Sequence, residues 1–112
     1  MSDFPSPDMA EVELVDVLRA LADPARLQIM RRLGDGQPCA KTPEVWGDLN
    51  LSKSTMSHHF RTLRESGVTR TVVHGRTHTI QLRRTELDEK FPGLIEAVLG
   101  DAAVGGEHPT DG

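Results

Sequence analysis

Cysteine occurs once, at Cys39, which is expected alone in a loop, so no internal disulfide can form, and the expectation is a chain kept in a reducing cytoplasm. No apolar run approaches the roughly 20 residues a helix needs to span a bilayer, so no membrane association is expected. The opening stretch from Met1 to Asp8 is acidic and proline-rich and lacks the basic segment and apolar run of an export signal. The histidines and carboxylates form no nucleophile–base–orienter set, and no glycine loop has the spacing that cradles phosphate, which argues against an enzyme. There is no internal repeat. At 112 residues the chain is one domain with a core large enough to fold alone.

Acidic residues are scarce in one stretch. From Ser52 to Arg84 there are seven Lys/Arg and one acid, Glu65, for a charge of +6; the remainder carries −10, and the whole chain −4. A basic block on an acidic body is the electrostatic footprint of nucleic-acid binding.

The block coincides with a helix-turn-helix pattern. Ser52 is a good N-cap and Gly67 suits the left-handed position past a helix C-terminus. Between them Met56, Phe60 and Leu63 recur at helical spacing. The opposite face carries Lys53, Ser54, Ser57, His58, Arg61 and Arg64, groups that bond phosphates and base edges. Upstream, Thr42-Pro43 opens a short helix to about Leu49, with Val45, Trp46 and Leu49 inward. Asn50 makes the tight turn, since asparagine tolerates the left-handed conformation.

The flanks complete a domain that is mainly α with a small β-hairpin. Residues 1–8 read as a loose arm. A helix is expected from about Met9 to Ala22, with Leu14, Val17, Leu18 and Leu21 on one side and Val12 and Val15 on another. A helix with two apolar sides in so small a domain buries one of them against something else, most simply a second copy. Asp23 and Pro24 start a helix to about Leu33, with Arg26, Arg31 and Arg32 exposed, and a loop from Gly34 to Pro38 follows. After Gly67, two β-branched runs (68–74 and 77–83) flank Gly75-Arg76 and predict a hairpin with Ile80 and Leu82 inward, Thr79, Gln81 and Arg83 outward, and Arg76 at its tip. Thr85-Glu86-Leu87-Asp88 suggests a capping box. Pro92 interrupts, and a helix follows to about Leu99 with Leu94, Ile95, Val98 and Leu99 on its apolar side. The folded domain is thus residues 9–99, and residues 100–112 read as a disordered acidic tail.

Helix, helix, helix-turn-helix, hairpin, helix is the order of a winged helix. The stretch from Leu21 to Leu33 (LADPARLQIMRRL) resembles the opening motif of the ArsR/SmtB transcriptional regulators. Leu51 to Gly67 resembles that family's recognition helix, and Val73-His74-Gly75-Arg76 its wing. The resemblance spans about residues 10–99. It implies a repressor that binds an inverted-repeat operator as a homodimer through its first and last helices, here Leu14, Val15, Leu18, Leu94, Ile95 and Val98. DNA contacts would be Ser52, Lys53, Ser54, Thr55, Ser57, His58, Arg61 and Arg76. His59 lies nearer the apolar stripe and should pack or bond internally. A winged-helix protein-interaction module that does not read DNA is the rival, but such a face would favour aromatic and apolar residues over hydroxyls and arginines.

The signal is less legible. Two metal sites common in that family are absent: Lys41-Thr42-Pro43 stands where a cysteine pair would be, and Asp88-Glu89-Lys90 lacks the histidine of the other. One cysteine disfavours a soft thiolate site. His74, His78 and His108 remain as candidates for nickel or zinc at an unusual site, though His74 and His78 are better read as lying near DNA. Otherwise the effector is organic, or a separate sensor protein binds the regulator; these last two are favoured over a self-contained metal sensor.

Overall fold

The computed structural model describes residues 2–105. In order it runs β1 (Ser2–Asp3), a 3-10 turn (Met9–Glu11), α1 (Leu14–Leu21), α2 (Pro24–Leu33), β2 (Cys39–Ala40), α3 (Pro43–Trp46), a second 3-10 turn (Gly47–Leu49), α4 (Lys53–Glu65), β3 (Thr69–His74), β4 (Thr77–Leu82), α5 (Arg84–Lys90) and α6 (Leu94–Gly105). The strands form one antiparallel sheet in the order β1-β3-β4-β2.

Local chemistry sets most boundaries as expected. The Asp23 carboxylate accepts from the Arg26 amide at 3.0 Å with Pro24 at the first helical position of α2. The Ser52 hydroxyl accepts from the Thr55 amide at 3.1 Å and starts α4. Asn50 turns the chain at φ +61°. The capping box at Thr85 does not form: Thr85 lies inside α5, and Arg83 occupies the cap position without a side-chain cap bond. Buried Val17, Leu21, Ile29, Met30, Leu33, Leu63, Val68, Ile80 and Leu82 join α1, α2, α4 and the wing in one core.

Four expectations are corrected by long-range contacts. The first helix is not continuous, because Val12 and Glu13 are extended. Val12 is buried beside Gly67 rather than on an outer face, and the Lys90 ammonium donates to the Met9, Ala10 and Val12 carbonyls at the interruption. The segment before residue 9 is not loose: Ser2 and Asp3 pair with Val73 and Val72, and the Phe4 amide donates to the Thr71 carbonyl. Cys39 stands in β2, paired with Ile80, not in a loop. α6 continues to Gly105, beyond both Leu99 and the expected tail boundary at 100. Residues 106–112, with His108, lie outside the described residues.

Ile95 is also corrected as a candidate for the dimer face. It is fully buried in the protomer's own core, while Leu94 and Val98 are half-buried against it. α6 packs over the end of α2, with Leu99 seated on Gly34, and this turns Ile95 inward. Leu14, Val15 and Leu18 remain exposed on α1, at 44%, 51% and 45%.

Candidate DNA interface

α4 is held by its inner face. Met56, His59, Phe60 and Leu63 are buried. Phe60 meets Trp46 edge-on at 5.5 Å, and the Trp46 indole N–H donates to the Ala40 carbonyl at 2.9 Å. Arg32 covers Trp46 and pairs with Asp48, so α2, α3 and α4 are locked at the turn. Arg26 and Arg32 are therefore partnered rather than free, whereas Arg31 is exposed.

With that face buried, Ser52, Lys53, Ser54, Ser57, His58 and Arg61 are exposed and Thr55 is half-exposed. Ser52 also donates to the Thr55 hydroxyl at 2.9 Å, so these two side chains brace the start of the helix. The wing ends in Gly75, at φ +62°, and exposed Arg76. Positive φ at the first residue of a two-residue hairpin loop is a glycine position.

The basic block is smaller in space than in sequence. Arg70 and Arg83 share Glu86, and Arg84 pairs with Asp88. Hydrogen bonding from Arg83 first, and the charges of Arg83 and Arg70, hold the Glu86 carboxyl below its ordinary value. Arg83, expected to face outward, is buried, because α5 folds back and supplies its partner. Arg64, a predicted DNA contact, donates to the Pro5 carbonyl at 3.1 Å and lies against the Phe4 ring. Lys53, Arg61 and Arg76 have no acidic partner among the described residues.

Three features had no clear sequence signal. Arg26 donates to His59 Nδ1 at 3.1 Å, tying α2 to the back of α4; arginine is donor-only, so that nitrogen must be the unprotonated acceptor. The buried position of His59 was expected, its partner was not. Lys41 sits between the Phe60 and Phe4 rings at 4.9 and 5.7 Å, and burial, with the Arg64 charge adding, pushes its ammonium down to about 8. Phe4 itself comes from the far end of the chain.

Burial lowers the His59 value below 6.5, so its contribution to stability is present above pH 6.5 and lost as pH falls through the folded value. Urea midpoints should therefore fall on acidification from pH 6.5 to about pH 5, and His59→Asn, whose amide oxygen can still accept from Arg26, should flatten that dependence. Parallel curves for the two proteins would contradict the role of the Arg26–His59 bond.

The histidine candidates for metal do not converge. His74 is paired with Thr77 and His78 with Val73, adjacent rungs that project to opposite faces of the hairpin. His78 instead meets the Phe4 ring edge-on at 5.2 Å. No group of three or more His, Cys, Asp or Glu poised to hold a metal occurs among the described residues. No helix there is long and apolar enough to cross a membrane.

A helix-turn-helix followed by a hairpin wing, with a hydroxyl-and-cation face on its second helix, defines a winged helix-turn-helix DNA-binding protein. A family profile described as "Helix-turn-helix domain" matches residues 21–72. The uncharacterised HTH-type transcriptional regulator YceK of Bacillus subtilis is 37% identical over 82 residues, covering 73% of this chain and 82% of that protein. The arsenical resistance operon repressor of Staphylococcus xylosus is 34% identical over 80 residues, 71% of this chain and 75% of its own. The HTH-type transcriptional regulator CmtR of Mycobacterium tuberculosis is 32% identical over 92 residues, 82% and 76% respectively. The chain belongs to the ArsR/SmtB family of winged helix-turn-helix regulators. It is a DNA-binding transcriptional regulator and not an enzyme.

Proposed function

We propose that the protein represses transcription as a cytoplasmic homodimer, laying two copies of α4 into major grooves of an inverted-repeat operator, with Arg76 of each wing on the flanking backbone or minor groove. The observation that carries this is the outer face of α4, where Lys53, Ser54, Ser57, His58 and Arg61 are exposed together while the opposite face is buried. Arg64 is not among the proposed contacts, since the Pro5 carbonyl and the Phe4 ring hold it. Dimerisation is supported by Leu14, Val15 and Leu18, three large apolar side chains exposed on one short helix. Half-buried Leu94 and Val98 on α6 extend the candidate interface. A two-fold dimer matches half-sites about 34 Å or a multiple apart.

Control by an organic effector or by a separate sensor protein fits the chain better than a thiolate metal site. Arsenical resistance, in the name of one relative, is not carried over, since soft ions call for several thiolates and Cys39 is single. Binding of nickel or zinc at an unusual site, with His108 included, is tested by titrating the metals against DNA affinity.

The test uses a duplex selected from a randomised pool by the full-length protein. The protein should sediment as a dimer at micromolar concentration, and the double variant Val15→Glu/Leu18→Glu should sediment as a monomer and bind that duplex at least about tenfold more weakly. A wild-type monomer, or a monomeric variant with full affinity, would sink the dimer.

A further inference from the structure

Residues 4–12 are held to the winged helix by an unusual set of bonds. Arg64 of α4 donates to the Pro5 carbonyl at 3.1 Å, Arg83 to the Pro7 carbonyl at 2.7 Å, and Lys90 of α5 to the Met9, Ala10 and Val12 carbonyls at 2.7, 3.1 and 2.7 Å. Each is a charge-assisted bond, stronger than a neutral one. At the head of this segment Phe4 is fixed to β3 through the Thr71 carbonyl. Its ring lies edge-on to His78 of β4 at 5.2 Å, against the Arg64 guanidinium of α4 at 5.2 Å, and 5.7 Å from the Lys41 ammonium, which also rests on Phe60.

Phe4 therefore touches the wing and the recognition helix at once. The core residues that join those two elements, Leu63, Val68 and Ile80, lie nearer the base of the hairpin. His78 stands one inward-facing position beyond Ile80 toward the tip, where a two-stranded ribbon has little else to fix its direction. The surface that reads DNA is split between these elements, with Arg61 on one and Arg76 on the other.

We propose that Phe4 is a positioning residue for DNA binding: its ring is wedged between wing and α4 and sets the spacing at which Arg76 and Arg61 reach the duplex. This rests on α4 and the wing being the DNA-facing surface. The arm touches no nucleic acid; it raises the fraction of time the wing is in the competent orientation. Affinity scales with that fraction, so a wing correctly placed a tenth of the time weakens binding about tenfold per half-site.

The experiment measures affinity for the selected duplex across a salt series, with folding followed by thermal melting. Phe4→Ala is expected to lose about tenfold per half-site with an unchanged salt slope, because every phosphate-bonding cation is still present, and Phe4→Tyr to restore affinity to within about twofold. Arg61→Ala and Arg76→Ala should lower the slope instead, by about one for each phosphate left without its cation. Full affinity in Phe4→Ala beside weakened Arg76→Ala would overturn the positioning role and leave the interface standing. Loss of slope in Phe4→Ala would show that the arm itself bonds phosphate and also overturn it. If Arg61→Ala and Arg76→Ala both bind normally, the interface assignment itself fails. Should Phe4→Ala melt below the binding temperature, Phe4→Leu, which keeps apolar bulk and loses the ring face, is measured with the same outcomes.

Discussion

Gly67→Ala is expected to destabilise the domain by about 2–5 kcal/mol, the sum of a left-handed backbone penalty of roughly 1–2 and an overpacking cost of roughly 1–3. Gly67 closes α4 at φ +91°, where a side chain is strained whatever the space. There is also no space: a Cβ would lie 2.3 Å from Val12 Cγ2 and 3.1 Å from Cγ1. Val12 is held by the Lys90 ammonium on its carbonyl and cannot simply withdraw. The measurement is the denaturant midpoint at constant m-value. In the pair with Val12→Ala the steric part should be relieved and the backbone part kept, so the double variant should be less destabilised than the sum of the singles. Gly47→Ala is the control: φ is −63° there and nothing lies within 4 Å of its Cβ, so no loss is expected. An unchanged midpoint for Gly67→Ala would refute the packing of Val12 against the end of the recognition helix.

Arg61→Ala is expected to leave the fold intact and to weaken operator binding by about 1–3 kcal/mol per half-site, roughly 5- to 150-fold, with relaxed base preference if the guanidinium forks onto a base edge. Arg61 is exposed at the middle of the outer face of α4 and has no ion pair or side-chain hydrogen bond among the described residues. Its removal should therefore move stability by no more than about 0.5 kcal/mol. A dimer counts the loss twice. Arg64→Ala should behave differently, because that arginine holds Pro5 and Phe4: its effect should come through the arm, with base preference unchanged. If Arg61→Ala kept both the affinity and the base preference of the parent, α4 would not be the reading helix.

Where the sequence was legible, the cause acted within a few residues. Asp23, Ser52 and Asn50 each satisfy or turn the backbone of their own helix end, and Gly75 sits in its own hairpin. The outer face of α4 follows from the spacing of Met56, Phe60 and Leu63 alone. Strand β3 is different. Its fully buried residues are Thr69 and Thr71, while the more apolar Val72 falls on the other face, because pairing with Leu82 and Ile80 decides which side faces the core. A hydropathy pattern cannot outvote that register.

The electrostatic picture divides in the same way. Charge segregation along the chain pointed to the surface proposed to face DNA, yet three of the seven cations in the block are paired with Glu86 and Asp88 and a fourth is turned toward the arm. Arg83 and Arg84 meet those acids three and four residues on, whereas Arg70 reaches Glu86 only because α5 packs against the sheet.

The sequence by itself thus determined the class of the protein. Helix caps, helical spacing, turn residues and the two motifs specify a winged helix-turn-helix with a hydroxyl-and-arginine reading helix, since each of these acts through neighbours three or four residues away. Tertiary structure alone decided that Arg64 is turned toward the arm, that Ile95 belongs to the core, that Val12 breaks the first helix against Gly67, and that the N-terminal segment pairs with the wing. Each of those depends on partners dozens of residues distant, and their meeting is set by packing and strand register, which no local pattern encodes.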